Sequence, residues 1–283
     1  MTIIRTSVRT FKILPWGSWS LVSLYLSLFS GVIVGLQYNL QAPYYSSASL
    51  DLTVPFGMFF RSLHFYSSQL FFLFGVAHYI AIYDKVSELS TEQRIYLVLT
   101  LPVALLLLFT GYVLRADTTG FSAGMIAESI VVSVPIFGTF LNNLLFSIEA
   151  NGLQRVYLHH VITFDILFLI LAWQHLRKYT VPPHNHLLLL GLTVLFCSVV
   201  AAPLDPDTLG QLYITGPWFF LGLQELLRYI HPFIAGVITP MALVFMLLLL
   251  RRDARNCKLL LNLTLIWLTS YGVLTYLALY GHG

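Results

Sequence analysis

The sequence predicts an all-α fold, a polytopic membrane helix bundle of about seven transmembrane helices at roughly twenty apolar residues per crossing. Three observations carry this. Of the 283 residues 58% are hydrophobic and 10% charged, with a mean hydropathy of +0.80, a balance that no soluble globular domain tolerates. The apolar residues gather into long runs separated by short polar stretches. Tyr and Trp crowd toward the ends of those runs, where an apolar ring with a polar tip suits the boundary between lipid and headgroups. The formal charge of +3 is too small to suggest nucleic acid. Cys197 and Cys257 stand in no CxxC or CxxCH pattern, so neither a zinc site nor a c-type haem attachment is readable.

The first span is expected near 18–38. Arg5, Arg9, Lys12 and Pro15-Trp16 precede it, and the apolar run lacks a small-residue cleavage pattern, so it reads as a retained helix and not a signal peptide. The second and third spans, near 60–82 and 94–114, are divided by the polar stretch 84–94. The fourth lies near 156–176 and the fifth, a short one, near 186–202. The last two, near 232–250 and 258–280, are separated by Arg251, Arg252, Asp253 and Arg255. With the N-terminus cytoplasmic, eleven of the fifteen Lys and Arg residues fall inside, leaving Arg61, Arg115, Arg155 and Arg228 outside, which fixes the orientation by the positive-inside rule. A bacterial cytoplasmic membrane is the expected location. Two outer segments have the pattern of short surface helices. One is 115–149, containing Ser133-Val134-Pro135. The other is 218–228, after a loop with Asp205, Pro206, Asp207, Gly210, Gly216 and Pro217. Both are candidates to wall a lipid-facing pocket.

Four histidines carry the chemistry. His64 and His78 are fourteen residues apart in the second span, and His160 and His175 fifteen apart in the fourth. Four α-helical turns take about 14.4 residues, so each interval returns to nearly one face about 21 Å further along. One helix then offers an imidazole to each of two stacked sites, and two facing helices supply both axial ligands to two haem irons. The plainer alternative is hydrogen-bond glue between helices, which suits a lone His better than two matched pairs. Arg61, three residues before His64, is placed to pair with a haem propionate, or simply to snorkel at a helix end. His159 would give an interval of sixteen and is read as a neighbour.

These residues resemble the cytochrome b family of the quinol-oxidising bc and b6f complexes, over most of the chain. Arg61-Ser62-Leu63-His64 followed by His78 is similar to that family's second helix, and Gly111-Tyr112-Val113-Leu114 to the end of its third. Pro135-Ile136-Phe137-Gly138 resembles its outer surface helices, and Arg155 before His160 the entry to its fourth. The fifteen-residue interval, with Asp117 and Gly120, is similar to the b6f branch. Gly17 and Gly31 match positions where members let a haem approach the backbone. The resemblance implies a haem-binding N-terminal part over 1–180 with a four-helix dihaem core, and a three-helix C-terminal part over 181–283. It implies that His64 and His160 hold an outer, low-potential haem b, and His78 and His175 an inner, high-potential one. It also implies a quinone pocket at each surface, additional redox subunits of iron-sulfur or c-type cytochrome kind, and a dimeric or larger complex.

The sequence departs from the family at three places. Gly216-Pro217-Trp218-Phe219 stands where Pro-Glu-Trp-Tyr is usual, so the Glu that takes a quinol proton is absent. Arg115-Ala116 replaces a Pro-Trp, and one third-helix glycine falls on Leu97. The first two changes lie at the outer quinol site and remove the sequence basis for bifurcated oxidation with a Rieske partner. No cysteine lies on the first span, so no thioether-linked haem is expected there. Quinol oxidation releases two protons and needs an acceptor in hydrogen-bond reach. Glu225, seven residues after Trp218, is the chosen substitute, against an ordinary solvated Glu. Asp117 and Glu128 are further candidates. Asp165, five residues inside His160, is an ionisable group at membrane depth, read as a proton relay or haem-tuning group, or as a neutral Asp bonded to a neighbouring helix. Arg177, Lys178, His184 and His186 cluster beside His175 and read first as a positive-inside loop.

The expected function is therefore a dihaem subunit that carries electrons between a menaquinone or ubiquinone pool and two b haems. A rival is a haem-bearing membrane anchor that conducts between quinone and a soluble dehydrogenase or reductase. A rival from another class is a proton-coupled transporter without haem, which predicts broken helices near the midplane and internal repeat symmetry, and the sequence shows no such symmetry. A third, a subunit with the fold but no redox role, sits poorly with four matched histidines.

Overall fold

The computed structural model describes residues 11–150, 152–206, 214–251 and 254–281. Arg5, Arg9, Asp207, Gly210, Arg252 and Asp253 lie outside them. The chain is an integral membrane protein of the all-α class. Among the described residues, Trp16–Gln37, Thr91–Val113, Leu153–Leu176 and Cys257–Tyr280 are long and apolar enough to cross a membrane. Thr118–Val132, Pro183–Val199 and Ile234–Leu249 are shorter apolar helices. The 25-residue helix Gly57–Ala81 has the length as well, but Ser62, His64, Ser67, Ser68, Gln69 and His78 dilute its hydropathy.

The helices fall into two units that interleave along the chain, residues 1–108 with 168–203, and 109–167 with 204–283. In the first unit α1 (Trp16–Gln37) starts directly after Pro15. α2 (Pro43–Thr53) opens on a proline, whose missing N–H costs nothing at a helix start. The hydropathy pattern does not announce α2, because its eleven residues are short and polar (Ser46, Ser47, Ser49, Asp51). Phe56 then takes a left-handed φ of 59°, and α3 (Gly57–Ala81) follows. Gly57 is obligatory there, since a Cβ would meet the Leu50 carbonyl oxygen at 1.9 Å.

α1 packs on α3 through small residues, with Ser20, Ser23, Ser27 and Ser30 all buried. Such a face lets two backbones approach closely in lipid, and Ser20 Oγ donates to the Phe71 carbonyl across the seam at 2.9 Å. Lys12 pairs with Asp84, bringing the start of α1 and the short turn after α3 to one end of this unit. α8 (Leu187–Val199) lies against α3, where Phe196 meets Tyr66 edge-on at 4.9 Å.

α4 (Thr91–Val113) and α7 (Leu153–Leu176) each begin in one unit and end in the other. The second unit holds α5 (Thr118–Val132), α6 (Gly138–Leu145), α9 (Leu221–Leu226), α10 (Thr239–Leu249, led in by a π turn at Ile234–Ile238) and α11 (Cys257–Tyr280). The two segments expected to carry short helices do so: α5 and α6 in 115–149, and α9 in 218–228. α9 sits on α11 at Gly222, where a Cβ would meet Thr275 Oγ1 and the Tyr271 ring at 2.9 Å. The Tyr271 hydroxyl donates to the Phe219 carbonyl at 2.6 Å, and Trp267 stacks on Tyr271. The turn before α9 is thereby clamped to α11.

Candidate functional site

In the first unit the rings of His78 on α3 and His175 on α7 face each other with centroids 6.1 Å apart and planes inclined by 52°. A nitrogen–metal bond is about 2 Å, and an imidazole nitrogen lies about 1 Å from its ring centre, so two axial imidazoles on one metal stand roughly 6 Å apart. The pair has the separation a bis-imidazole ligation requires. Tyr179 covers His175 from beyond the helix end, at 5.0 Å between ring centroids.

Glycines make room for three of the four histidines. A Cβ on Gly17 would come within 2.9 Å of His78 Cε1, and one on Gly31 within 2.9 Å of His64 Cε1. In the second unit, a Cβ on Gly111 would approach His160 Cε1 to the same 2.9 Å. Each glycine lies directly against an imidazole. Two histidines also have their ring orientation fixed. His64 Nδ1 donates to the Ser27 carbonyl at 2.9 Å, which leaves the lone pair on Nε2, the tautomer a metal ligand needs. His160 Nδ1 lies 3.0 Å from Thr110 Oγ1. His159 spends both nitrogens elsewhere, on Thr163 Oγ1 at 3.1 Å and the Leu144 carbonyl at 2.9 Å, in keeping with a neighbour that ligates nothing.

The unequal histidine intervals have a structural reason. α7 contains a π turn over His159–Thr163. A π turn absorbs one extra residue into a helix and often marks a functional site. Fifteen residues that include one such insertion carry the rotation of fourteen in a plain α-helix, the interval of α3.

Arg61 is buried at the start of α3 and held by Asp51 of α2. Its Nε donates to Asp51 Oδ1 at 2.7 Å, and its Nη2 to Asp51 Oδ2 and, at 2.7 Å, the Ala202 carbonyl. Ser62 Oγ accepts from Ala202 N at 2.9 Å. Arg61 and Ser62 thus tie the chain after α8 to the first turn of α3.

The second unit carries a buried charged cluster at the start of α5. Asp117 is the N-cap, accepting from Gly120 N at 2.8 Å, and is 0% exposed. Arg115 pairs with Asp117 and, at 3.1 Å, with Asp205, while its guanidinium lies 4.6 Å over the Tyr112 ring. Asp205 N donates to Asp117 Oδ2 at 2.9 Å. The Arg115-Ala116 departure thus builds an ion-paired buckle, with Ala116 at a left-handed φ of 54°. Beside it is a cavity of about 500 Å³, within the range of small-molecule sites, lined by Thr119, Ser122, Met125, Gly216, Phe220 and Gln224 among others. Gln224 Oε1 accepts from Gly216 N at 2.9 Å, and its Nε2 donates to the Ile214 carbonyl at 2.6 Å.

Glu225 is adjacent to Gln224 but is absent from the cavity lining. It is 1% exposed, and the Tyr229 hydroxyl donates to it at 2.6 Å. That bond and the nearby carboxylate raise the Tyr229 phenol above its ordinary 10. Glu128 accepts from Asn142 Nδ2 at 2.6 Å, joining α5 to α6. Trp218 is half exposed beside Phe219, Arg155 is exposed on the first turn of α7, and Asp165 is partly buried one turn beyond His160. Sequence reasoning passed over Asp51, Ser27, Thr110 and Thr119. Thr110 and Ser27 had a weak signal in standing one and four residues before the imidazole-bearing glycines.

The fold is a membrane-embedded helix bundle in which the rings of His78 and His175 lie 6.1 Å apart. The family model of cytochrome b/b6/petB matches residues 4–180, more than half of the chain, and the chain belongs to that family. It is accordingly a cytochrome b-type electron-transfer subunit of a membrane quinol-oxidising oxidoreductase complex, and the family implies haem b as cofactor. Among the described residues no group of three or more His, Cys, Asp or Glu side chains gathers as a metal site. A solved structure described as a hyperthermophilic respiratory Complex III is similar in fold, with a TM-score of 0.68 and 21% identity over 98% of this chain and 88% of that chain.

Proposed function

We propose that the chain holds two b haems and passes electrons between them and a quinone pool. His78 and His175 ligate one haem; the observation that carries this is their 6.1 Å facing separation. His64 and His160 ligate the other, an assignment that rests on the family resemblance and on the Ser27 and Thr110 contacts at their Nδ1 atoms. A bound haem supplies one-electron exchange at its iron. The residues around it do the rest: Gly17, Gly31 and Gly111 admit the imidazoles, Ser27 and Thr110 orient them, Arg155 supplies positive charge near the His160 helix end, and Arg61, paired with Asp51, fixes the first turn of the His64 helix. Leu97 stands where the resemblance places the first of the third helix's two glycines.

By the same resemblance the pair His64/His160 is the outer, low-potential site and His78/His175 the inner, high-potential one, in a seven-span chain with its N-terminus cytoplasmic. The functional division falls at residue 180, as the resemblance implies. The cavity beside Asp117 is the outer quinol site, with Trp218 on its approach; Asp117 holds its wall in place, and Glu225 is set back from the lining, next to Gln224. Asp165 tunes the His160 site from one turn away. Partners of iron-sulfur or c-type cytochrome class take the electrons, in a dimeric or larger complex.

The test is anaerobic addition of a menaquinol or ubiquinol analogue to the purified complex while the b-haem absorbance is followed. Reduction of both haems within the turnover time supports the proposal. Haems that respond only to the substrate of a soluble dehydrogenase subunit, and not to quinol, would contradict it in favour of the membrane-anchor reading.

A further inference from the structure

Among the described residues that line the cavity beside Asp117 there is no carboxylate, although quinol oxidation needs a proton acceptor within hydrogen-bond reach. Its polar lining residues differ in where their hydrogen bonds lead. Ser122 Oγ donates back to the Thr118 carbonyl at 2.7 Å. The Gln224 amide is spent on Ile214 and Gly216. Thr119 alone of these three reaches acids: its hydroxyl lies 2.8 Å from Asp205 Oδ2 and 3.2 Å from Asp117 Oδ1. The two acids are not equivalent, for the Asp117 side chain is 0% exposed and that of Asp205 is 36% exposed. Only Asp205 can hand a proton on to water directly.

We infer that Thr119 and Asp205 form the proton exit of this cavity, replacing the carboxylate lost at Pro217. This rests on the reading of the cavity as a quinol site. A hydroxyl both accepts and donates, so it passes a proton without holding a charge. The quinol O–H bond breaks and its proton goes to Thr119 Oγ1. The Thr119 proton moves in the same step to the Asp205 carboxylate, and the resulting carboxylic acid releases it to water. The matching electron leaves the quinol for a one-electron acceptor of the complex, an iron-sulfur or haem centre. Asp117 anchors the pair through Arg115 and the Asp205 backbone N–H, and stays buried throughout.

The test uses the intact complex and follows quinol-driven haem reduction in Thr119→Val, Thr119→Ser, Asp205→Asn, Asp205→Glu and Glu225→Gln variants, with haem content measured in each. Thr119→Val preserves shape and removes only the hydroxyl. It and Asp205→Asn are expected to slow reduction about a hundredfold, the usual contribution of a positioned acid–base group. Thr119→Ser and Asp205→Glu should stay within a few-fold of the unaltered complex, and haem content should not change. A rescue by the conservative variants would not follow from a merely structural role. Unaltered rates in Thr119→Val and Asp205→Asn overturn the relay, as does a hundredfold loss confined to Glu225→Gln. If quinol fails to reduce the haems even in the unaltered complex, the cavity reading itself falls and the relay with it.

Discussion

The imidazole sites and the Asp117 cap are built by opposite means. Around His78, His175 and His64 the position of each ring is set by helix phase and by the absence of side chains on Gly17 and Gly31, with the Ser27 backbone carbonyl as a polar contact of His64. Around Asp117 the backbone is irregular, and Arg115, Asp117, Thr119 and Asp205 hold it by charge. Where lipid surrounds the chain, charge is expensive and packing of small residues does the positioning. At the cap, where the chain turns, buried charges can be paired and so can fix a loop that no periodic pattern constrains. The first region is therefore sensitive to volume and the second to charge.

The cap should give the largest effect. Removing one member of a buried ion pair costs about 3–5 kcal/mol because the other is left uncompensated. Asp117→Asn is expected to lower stability by that order in a denaturant titration of the purified complex. A change under about 1 kcal/mol would mean that charge does not organise the cap. Volume comes next. Gly17→Ala and Gly31→Ala place a Cβ 2.9 Å from an imidazole, and overpacking of this kind costs about 1–3 kcal/mol. Gly191→Ala, with nothing within 4 Å of the new atom, should be neutral or stabilising by about 0.5–1 kcal/mol. Equal effects at all three glycines would erase the distinction.

A smaller effect is expected at Thr110→Val, which removes the partner of His160 Nδ1. It should cost about 1 kcal/mol and loosen the haem proposed at His160 about tenfold. The redox titration should move for that haem and not for the one at His78. The smallest is a pH effect at Tyr229. Its phenol is raised above 10 by the bond to Glu225, so the folded state keeps the proton longer than the unfolded one. The contribution is fully present below pH 10 and is lost as pH rises through the raised value. Thermal unfolding of the native chain should therefore fall more steeply above pH 10 than that of Tyr229→Phe, and parallel curves would contradict this.

The two regions were unequally legible in the sequence. Hydropathy placed the long apolar helices, and the fourteen- and fifteen-residue histidine intervals named the four imidazoles, because helical phase is written directly in residue spacing. The π turn at His159–Thr163 was not visible in advance, although the extra residue in the second interval is its trace. α2 was missed because eleven polar residues carry no span signal. At the cap, Asp117 was singled out but its partners were not: Asp205 is 88 residues away, and no local pattern joins residues across that separation. Glu225 was chosen by helical spacing from Trp218, yet Gln224, one position earlier, is the residue that lines the cavity.

The most direct measurement is a reduced-minus-oxidised spectrum with a pyridine haemochrome count on the purified chain, beside His78→Ala, His175→Ala and the double variant. The account predicts two b haems per native chain, loss of the same haem in both single variants, and no further loss in the double variant. A native chain without b haem, or single variants that each lose a different haem, would contradict it.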